Sequence, residues 1–250
     1  MHHYYITGTS SGLGKALAGQ LLLREDVHVY GISRNCSIEH TKYTHVYADL
    51  SDPVQVHSVA ASFSSGSFTS ADSIYLINNA GVIDPIKYAA DFLEEEVQQL
   101  LQVNLIASIQ LIRAFLQIPE AAFKSSTIVT ISSGAATKVI DGWSLYGTAK
   151  AALNHFSCHV AKELKLRGNT KTRIFSIAPG VVDTAMQTKI RQTSIDTFST
   201  RERFVQLHAS HELVSPVIIA QKYLKILDVP IIFPKPFFRS GILIKNSRTH

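Results

Sequence analysis

Short apolar runs alternate with longer helical patterns along most of this 250-residue chain. The short runs are rich in β-branched and aromatic side chains, which is typical of buried strands. The six predicted strands are Tyr4–Thr7, Val27–Ser33, Tyr43–Tyr47, Ile74–Asn78, Thr127–Ser132 and Arg173–Ala178. Strands that alternate with helices require right-handed crossovers and a parallel sheet with helices on both faces. The sequence therefore predicts a doubly wound α/β fold.

The segments between the strands carry helical signals. Apolar side chains between Leu13 and Leu21 are spaced for one helix face, and Asp52-Pro53 is an N-cap followed by proline. Long apolar stripes run from Asp91 to Gln117 and from Trp143 to Leu166. We find no repeat or linker that divides the chain, so residues 1–250 are predicted to form a single domain. Near the end, Ser240–Ile244 are a candidate seventh edge strand.

The charge pattern argues against a nucleic-acid partner. Four basic residues and no acid follow Asp228, which leaves 20 basic against 19 acidic residues in the first 228. The basicity therefore belongs to an atypical tail, residues 229–250, whereas a nucleic-acid-binding protein carries a basic patch on its folded surface. The four basic residues of the tail are Lys235, Arg239, Lys245 and Arg248.

Other features predict where the protein works. The sequence is not expected to contain an apolar run close to the roughly 20 residues that are needed to cross a bilayer. We therefore predict no membrane partner. The N-terminus leads directly into a strand pattern, which leaves no room for a signal peptide. Cys36 and Cys158 are too few for a disulfide framework, and reduced thiols fit a cytoplasmic protein.

A glycine-rich turn follows the first predicted strand. Its spacing, Gly8-x-x-x-Gly12-x-Gly14, differs from the G-x-G-x-x-G fingerprint, and glycines also serve ordinary tight turns. Its position between a strand and the first helix is what a phosphate-binding loop requires, because backbone N–H groups and the helix N-terminus can then approach a pyrophosphate. The turn therefore predicts a bound dinucleotide.

The end of the second strand indicates which dinucleotide. A protein that binds NAD places an acidic residue about 20 positions beyond the loop to hold the ribose 2′-hydroxyl. No acid lies between Asp26 and Glu39 here. Arg34 can instead pair with a 2′-phosphate, and Ser33 can donate a further hydrogen bond. Although Arg34 also fits an ordinary surface role, the pattern favours NADPH/NADP⁺.

Four polar residues form a candidate catalytic group. Tyr146 and Lys150 are one helical turn apart on the same face. Ser133 ends the fifth predicted strand, 13 residues before Tyr146, and Asn104 interrupts a long helix in which asparagine is unfavourable. Taken alone, the tyrosine fits packing and the lysine fits a solvent-facing position.

Together these motifs resemble those of the short-chain dehydrogenase/reductase family. The resemblance covers about residues 1–190 and implies a Rossmann-type sheet, an NADP-dependent oxidoreductase acting on carbonyl or alcohol groups, and a homodimer. The matching elements, in the family's order, are Thr7-Gly8-x-x-x-Gly12-x-Gly14, Asn78-Asn79-Ala80-Gly81, Asn104, Ser133, Tyr146-x-x-x-Lys150 and Pro179-Gly180-x-Val182-x-Thr184.

The resemblance implies a role for each catalytic candidate. Tyr146 would give a proton to the alkoxide that forms when a carbonyl accepts hydride. Lys150 would lower the pKa of that tyrosine and contact the nicotinamide ribose. Ser133 would orient the substrate oxygen, and Asn104 would hold a water that links Lys150 to solvent.

It also implies a set of cofactor contacts. These are Gly8, Ser10, Ser11, Gly12, Leu13 and Gly14 at the pyrophosphate, Ser33 and Arg34 at the 2′-phosphate, Asp49 and Leu50 at the adenine, Asn79, Gly81, Tyr146 and Lys150 at the ribose, and Val182 and Thr184 at the carboxamide and nearby phosphate. His155, Cys158 and His159 share a helix face at metal-ligand spacing, but in this family that helix usually packs in a dimer. We predict no metal site.

Within the family, the greatest resemblance is to the benzil reductases that form (S)-benzoin, with sepiapterin reductases more distant. Its strongest part, Ala178–Gln187, follows the sixth strand, where the family places its substrate-covering loop. Trp143, Met186 and Phe204 offer apolar walls for an aromatic carbonyl substrate, although they also fit a core.

Three alternatives remain at this point. The first is a pteridine or general ketone reductase of the same family. The second is a regulator that senses NADPH without turnover, which is expected to lack a catalytic residue. The third is an adaptor that binds nucleic acid or a membrane surface through the basic tail.

Overall fold

One parallel sheet organises the computed structural model, which describes residues 1–64, 68–229 and 237–239. Its strand order is β3-β2-β1-β4-β5-β6-β7, the order of a doubly wound sheet whose halves diverge between β1 and β4. The predicted α/β, Rossmann-type fold is confirmed. The strands are β1 (His2–Thr7), β2 (Val27–Ser33), β3 (Tyr43–Tyr47), β4 (Ser73–Asn78), β5 (Ser125–Ile131), β6 (Thr172–Ala178) and β7 (Phe237–Arg239).

Each of the six predicted strands is present, with its ends within two residues of the prediction. Most of their apolar residues are buried because helices cover both faces of the sheet, but the edge strand β3 is only partly covered, and its Tyr47 is 65% exposed. The described seventh strand, β7, lies earlier than predicted and pairs with β6 through Phe238 and Ile177. The candidate strand Ser240–Ile244 lies outside the described residues.

Eight α-helices are described around the sheet. They are α1 (Gly12–Leu22), α2 (Pro53–Ser62), α3 (Glu94–Leu101), α4 (Ala107–Leu116), α5 (Ser144–Leu166), α6 (Ala185–Gln192), α7 (Arg201–Ala209) and α8 (Pro216–Asp228). As predicted, α2 begins after an N-cap, because the Asp52 carboxylate accepts hydrogen bonds from the backbone N–H groups of Val54 and Gln55.

Two apolar layers hold the helices to the sheet. On one face, Leu17 of α1 and Tyr223 of α8 pack with sheet residues such as Val129. On the other face, Leu111 of α4 and Val160 of α5 belong to a second cluster. Fully burying side chains of this size stabilises the fold by roughly 1.5–3 kcal/mol each. The rigid sheet therefore fixes the positions of the loops at its edge.

The stretch predicted as one helix, Asp91–Gln117, contains an interruption. A π-helix at Gln102–Ile106 separates α3 from α4. Asn104 lies within it, and its side-chain amide bonds to the backbone of Val82 on both sides, accepting from the N–H at 2.8 Å and donating to the carbonyl at 2.7 Å. These bonds are formed from within the π-helix. Short π-helices inside α-helices are frequent at functional sites.

The same segment corrects our statement about the length of apolar runs. Among the described residues, Glu94–Leu116 is a helical run of 23 residues with a window of mean hydropathy 1.3, long and apolar enough to cross a bilayer by these two measures. The statement that no run approaches this length is therefore wrong. In the fold, Leu111, Ile112 and Phe115 of this run are buried in the core against the sheet.

Candidate active site

A cavity of about 940 Å³ lies at the carboxyl ends of the strands, where doubly wound sheets bind ligands. It is lined by residues that follow β1 to β6 and by parts of α6 and α7. Sixteen of the eighteen predicted site residues line it; Gly14 and Asn104 do not. The structure therefore brings the sequence-predicted residues together around one space.

The glycine turn has the conformation that its residues predict. Gly8 and Gly12 have φ values of +75° and +56°, in the left-handed region that favours glycine. Gly14 lies behind the turn, where an added Cβ would be 2.2 Å from the carbonyl oxygen of Gly8. Gly14 therefore has a packing role, since its missing side chain lets α1 approach the end of β1, and its contact with a pyrophosphate stays a prediction.

Gly14→Ala is expected to lower the free energy of unfolding by about 1–3 kcal/mol, because the new Cβ must displace backbone atoms. Gly19→Ala is the matched control in the same helix, since no atom lies within 4 Å of its added Cβ. That change should raise the free energy of unfolding by roughly 0.5–1 kcal/mol. Urea denaturation measures both variants, and equal effects at the two positions would contradict the placement of Gly14.

Hydrogen bonds tie the glycine turn to the end of β4. The Thr7 hydroxyl accepts from the backbone N–H groups of Asn79 and Ala80, each at 2.9 Å. The Asn79 amide donates to the carbonyl of Thr7 at 2.9 Å. These bonds therefore fix the loops that follow β1 and β4 relative to each other at the switch point of the sheet. Asn79 and Gly81 line the cavity there.

Arg34 and Asp49 lie at the end of the cavity formed by β2 and β3. The side chain of Arg34 is 68% exposed, so its guanidinium is accessible to a ligand. One guanidinium nitrogen lies 3.8 Å from the Asp49 carboxylate. Burial acts to raise the pKa of Asp49, but hydrogen bonds from Ser51 and the nearby Arg34 lower it overall. Asp49 is therefore a carboxylate at neutral pH.

Ser33 lines this end of the cavity, but its hydroxyl does not donate into it. The Ser33 hydroxyl donates to the carbonyl of Asn35 at 2.9 Å, and the residue is buried. The hydrogen bond that we predict from Ser33 to a 2′-phosphate would therefore have to replace this bond to Asn35. Our sequence reasoning also missed Ser37, whose hydroxyl donates to the carbonyl of Ser10 at 3.0 Å and ties this loop to the glycine turn. No spacing rule points to Ser37.

Ser133, Tyr146 and Lys150 meet at the opposite end of the cavity. Ser133 follows β5, and its hydroxyl accepts from the backbone N–H of Ala135 at 3.1 Å. Tyr146 lies in the first turn of α5 within hydrogen-bonding reach of Ser133. The Lys150 ammonium donates to the carbonyl of Ile131 at 2.8 Å and lies 5.9 Å from the centre of the Tyr146 ring. The predicted catalytic group is thus assembled.

The pKa values at this end differ from our expectation. Burial raises the pKa of Tyr146 above its ordinary value, and the hydrogen bond with Ser133 only partly offsets that rise. Burial lowers the pKa of Lys150 to about 8. The expected lowering of the Tyr146 pKa by Lys150 is therefore not found, and burial has the largest effect on this pKa.

Lys150 makes the stability depend on pH in a defined window. An unfolded lysine has a pKa near 10.4, so between pH 8 and 9.5 the unfolded chain binds a proton that the folded protein has released. The free energy of unfolding should therefore rise with pH, and Lys150→Met should lack this contribution. We expect the difference between the two proteins to grow by about 1–2 kcal/mol across the window in urea denaturation; parallel curves would contradict the low pKa.

Gly81 separates Lys150 from Asn104. An added Cβ at Gly81 would lie 3.2 Å from the Asn104 amide oxygen and 3.4 Å from the Lys150 nitrogen. Asn104 is 1% exposed, and Val82 engages both ends of its amide. The predicted role of Asn104 in holding a water stays a prediction, and the bonds to Val82 fix the side chain from which, or beside which, that water would be held.

The loop after β6 closes the cavity over the glycine turn. Val182 forms an isolated parallel bridge with Val214, and Val182 is buried. Thr184 precedes α6, and its methyl group would be 3.3 Å from a Cβ added at Gly12. Thr184 therefore lies beside the glycine turn, and Val182 lines the same cavity.

Aromatic residues surround the catalytic end. The Trp143 ring lies 5.0 Å from Phe198, 5.4 Å from Phe204 and 5.9 Å from Tyr146, measured between ring centres. Trp143 and Phe204 line the cavity but are largely buried against each other, so they serve both as core and as wall. Met186 is half-buried at the cavity, and Phe198 is a member of this cluster that we did not predict.

The histidines of α5 contact each other. The Nε2 atoms of His155 and His159 are 3.0 Å apart on the exposed side of the helix. Burial raises the pKa of the Cys158 thiol, which favours the protonated form that is a poor metal ligand. Within the described ranges, no group of three or more His, Cys, Asp and Glu side chains is arranged to hold a metal ion.

Known proteins of similar sequence or structure are enzymes with reductase activity or a related fold. The benzil reductase ((S)-benzoin forming) of Bacillus cereus is 35% identical over 91% of this chain and 94% of its own length. The sepiapterin reductase of Bos taurus is 36% identical over a shorter stretch, 62% of this chain and 57% of its own length. The crystal structure of the KRED1-Pglu enzyme matches with a TM-score of 0.80 and 29% identity, over 95% of this chain and all of that chain.

These comparisons confirm the resemblance that we drew from the motifs, including the order of its two subgroups. A family model described as short chain dehydrogenase matches residues 2–195, which include the glycine turn and the Ser133, Tyr146 and Lys150 group. The chain belongs to the short-chain dehydrogenase family of oxidoreductases.

Proposed function

We propose that this oxidoreductase is an NADPH-dependent carbonyl reductase that reduces one carbonyl of an aromatic α-diketone such as benzil. One observation carries the proposal: Ser133, Tyr146 and Lys150 meet at one end of a cavity whose other end presents Arg34. The similarity to the benzil reductase of Bacillus cereus, which extends over 91% of the chain, supports the substrate class.

The residues of the cavity fit a phosphorylated dinucleotide. The left-handed glycines Gly8 and Gly12 let backbone N–H groups face a pyrophosphate at the N-terminus of α1. The accessible guanidinium of Arg34 would hold the 2′-phosphate, and Lys150 would hold the nicotinamide ribose. When bound, NADPH supplies a hydride to the carbonyl carbon.

The chain's own groups then act on the carbonyl oxygen. Ser133 would donate a hydrogen bond that orients this oxygen, and Tyr146 would deliver its hydroxyl proton to it. With its raised pKa, the Tyr146 hydroxyl is protonated at neutral pH and holds the proton to be transferred, but it is a weaker acid than an ordinary tyrosine. Lys150, with a pKa of about 8, can return a proton to the tyrosinate. Benzil, NADPH and one proton thus give benzoin and NADP⁺.

An α-diketone suits this site for a chemical reason. Each carbonyl withdraws electrons from the other, so the first reduction is activated and the second is not. An aryl group buried against Trp143, Met186 and Phe204 would contribute about 1.5–3 kcal/mol of binding. Reduction is therefore expected to stop at the hydroxyketone.

The test is a comparison of substrates. NADPH oxidation should be faster, in terms of kcat/KM, with benzil than with simple ketones, steroids or pterins. Higher efficiency with pterins would assign the protein to the pteridine reductases, and no oxidation with any carbonyl would favour an NADPH-sensing regulator. The regulator is disfavoured because none of the four catalytic candidates is missing.

The proposal includes a cytoplasmic homodimer that has no nucleic-acid or membrane partner. The free thiols of Cys36 and Cys158 support the location. The long helix α5 keeps an exposed side near His155 and His159, where a second copy can pack. The molecular mass in solution tests the dimer, and a monomer at micromolar concentration would contradict it.

A further inference from the structure

Two cations of the cavity have no role in the proposed reaction. Seven charged side chains line it: Arg34, Asp49, Asp84, Lys138, Lys150, Lys189 and Arg203. Arg34 lies near Asp49, Lys189 contacts Asp84, and Lys150 belongs to the catalytic group. Among the described residues, no carboxylate forms an ion pair with Lys138 or Arg203, and both side chains are exposed.

Both cations lie on the substrate side of the cavity. Lys138 comes five residues after Ser133, and its backbone N–H bonds to the carbonyl of Gly134 in the same turn. Arg203 precedes Phe204 in α7, and the Phe204 ring packs against Trp143 beside Tyr146. A substrate whose carbonyl reaches Ser133 and Tyr146 would thus extend outward past Lys138 and Arg203.

The phosphates of a bound cofactor do not account for these cations. The glycine turn follows β1, and Arg34 follows β2, whereas Ser133 follows β5. In the sheet order, β5 is two strands from β1, which corresponds to about 10 Å, and β2 is one strand farther away. Lys138 and Arg203 are therefore left to act on the substrate.

We propose that the mouth of the substrate pocket, defined by Lys138 and Arg203, selects carbonyl substrates that carry a carboxylate at the end remote from the reacting carbonyl. The inference rests on the proposed function for the reacting end. The planar guanidinium of Arg203 suits a carboxylate, and the Lys138 ammonium adds a second positive charge. Because both side chains are exposed, the gain in efficiency is moderate and sensitive to salt.

The test compares two probes of nearly equal shape, benzil-4-carboxylate and benzil-4-carboxamide. At low ionic strength, kcat/KM should be about five- to tenfold higher for the carboxylate, and the ratio should fall towards one as sodium chloride is added. In a protein that carries both Lys138→Gln and Arg203→Gln, the ratio should be close to one. Lys162→Gln removes an exposed lysine of α5 that does not line the cavity, and this control should keep the full ratio.

The outcomes separate this inference from the proposed function. A ratio near one in the unaltered protein, or a ratio that the double variant keeps, overturns the role of the two cations even if benzil is reduced well. If neither benzil nor the two probes are reduced, the proposed function fails. The inference is then tested by calorimetry, which compares the dissociation constants of the two probes with the NADP⁺-loaded protein. If the double variant does not fold, the two single variants and the salt dependence give the same decision.

Discussion

Tyr146→Phe is expected to lower kcat for benzil by about 10²–10⁴-fold, because the change removes the group that delivers the proton to the carbonyl oxygen. The phenylalanine ring keeps the packing with Trp143, so the dissociation constant of NADPH should change by less than about twofold. Single-turnover kinetics with benzil and a fluorescence titration with NADPH measure the two quantities separately.

Tyr223→Phe is a matched control for this change. Tyr223 is also fully buried, and its hydroxyl donates to the carbonyl of Ile177 at 3.1 Å, but it does not line the cavity. Losing that bond should lower the free energy of unfolding by about 1–3 kcal/mol and leave kcat nearly unchanged. Near-normal turnover in Tyr146→Phe, or an equal loss in both variants, would exclude Tyr146 as the proton donor.

Arg34→Asp is expected to reverse the cofactor preference. In the unaltered protein, NADPH should bind about ten- to hundredfold more tightly than NADH, because the exposed guanidinium can form charge-assisted hydrogen bonds with the 2′-phosphate. The new carboxylate would repel that phosphate and could accept hydrogen bonds from the ribose hydroxyls of NADH. Dissociation constants of both cofactors, measured by fluorescence, check the prediction.

Arg34→Lys separates charge from geometry. It keeps the positive charge but loses the planar fork, so its preference for NADPH should be intermediate. An unaltered protein that prefers NADH, or an Arg34→Asp variant that keeps the preference for NADPH, would show that the 2′-phosphate is held elsewhere.

The strands and the glycine turn could be predicted because local patterns determine them. The bounds of Val27–Ser33 and Tyr43–Tyr47 match the structure residue for residue, the first as a largely buried strand and the second as a half-exposed edge strand rich in aromatic and β-branched residues. The turn around Gly8 and Gly12 needs left-handed backbone, which few other residues adopt. Ser133, Tyr146 and Lys150 could be placed together because the ends of parallel strands and the helices that follow them meet at one edge.

Features that depend on tertiary contacts could not be predicted. The π-helix contains Asn104, whose side chain forms hydrogen bonds with the backbone of Val82, 22 residues away in the chain. The hydroxyl of Ser33 donates to the carbonyl of Asn35, which depends on the path of the loop after β2. The raised pKa of Tyr146 arises from burial, and the spacing of Tyr146 and Lys150 shows nothing of how deeply their helix lies in the fold.

The apolar run of α3 and α4 shows the same limit. Composition alone makes Glu94–Leu116 long and apolar enough for a membrane span. In the fold, part of this run belongs to the core, since Leu111 and Phe115 are buried in a cluster with residues of α2, α5 and the sheet. Hydropathy cannot distinguish these two environments, because both remove apolar surface from water.

The most direct test of the proposed function is the product that the protein forms from benzil and NADPH. We predict that one NADPH is consumed for each benzil, that the hydroxyketone accumulates without further reduction to the diol, and that chiral chromatography shows mainly (S)-benzoin. Racemic benzoin, the diol as the main product, or no consumption of benzil beside good activity on pterins or simple ketones would contradict the assignment.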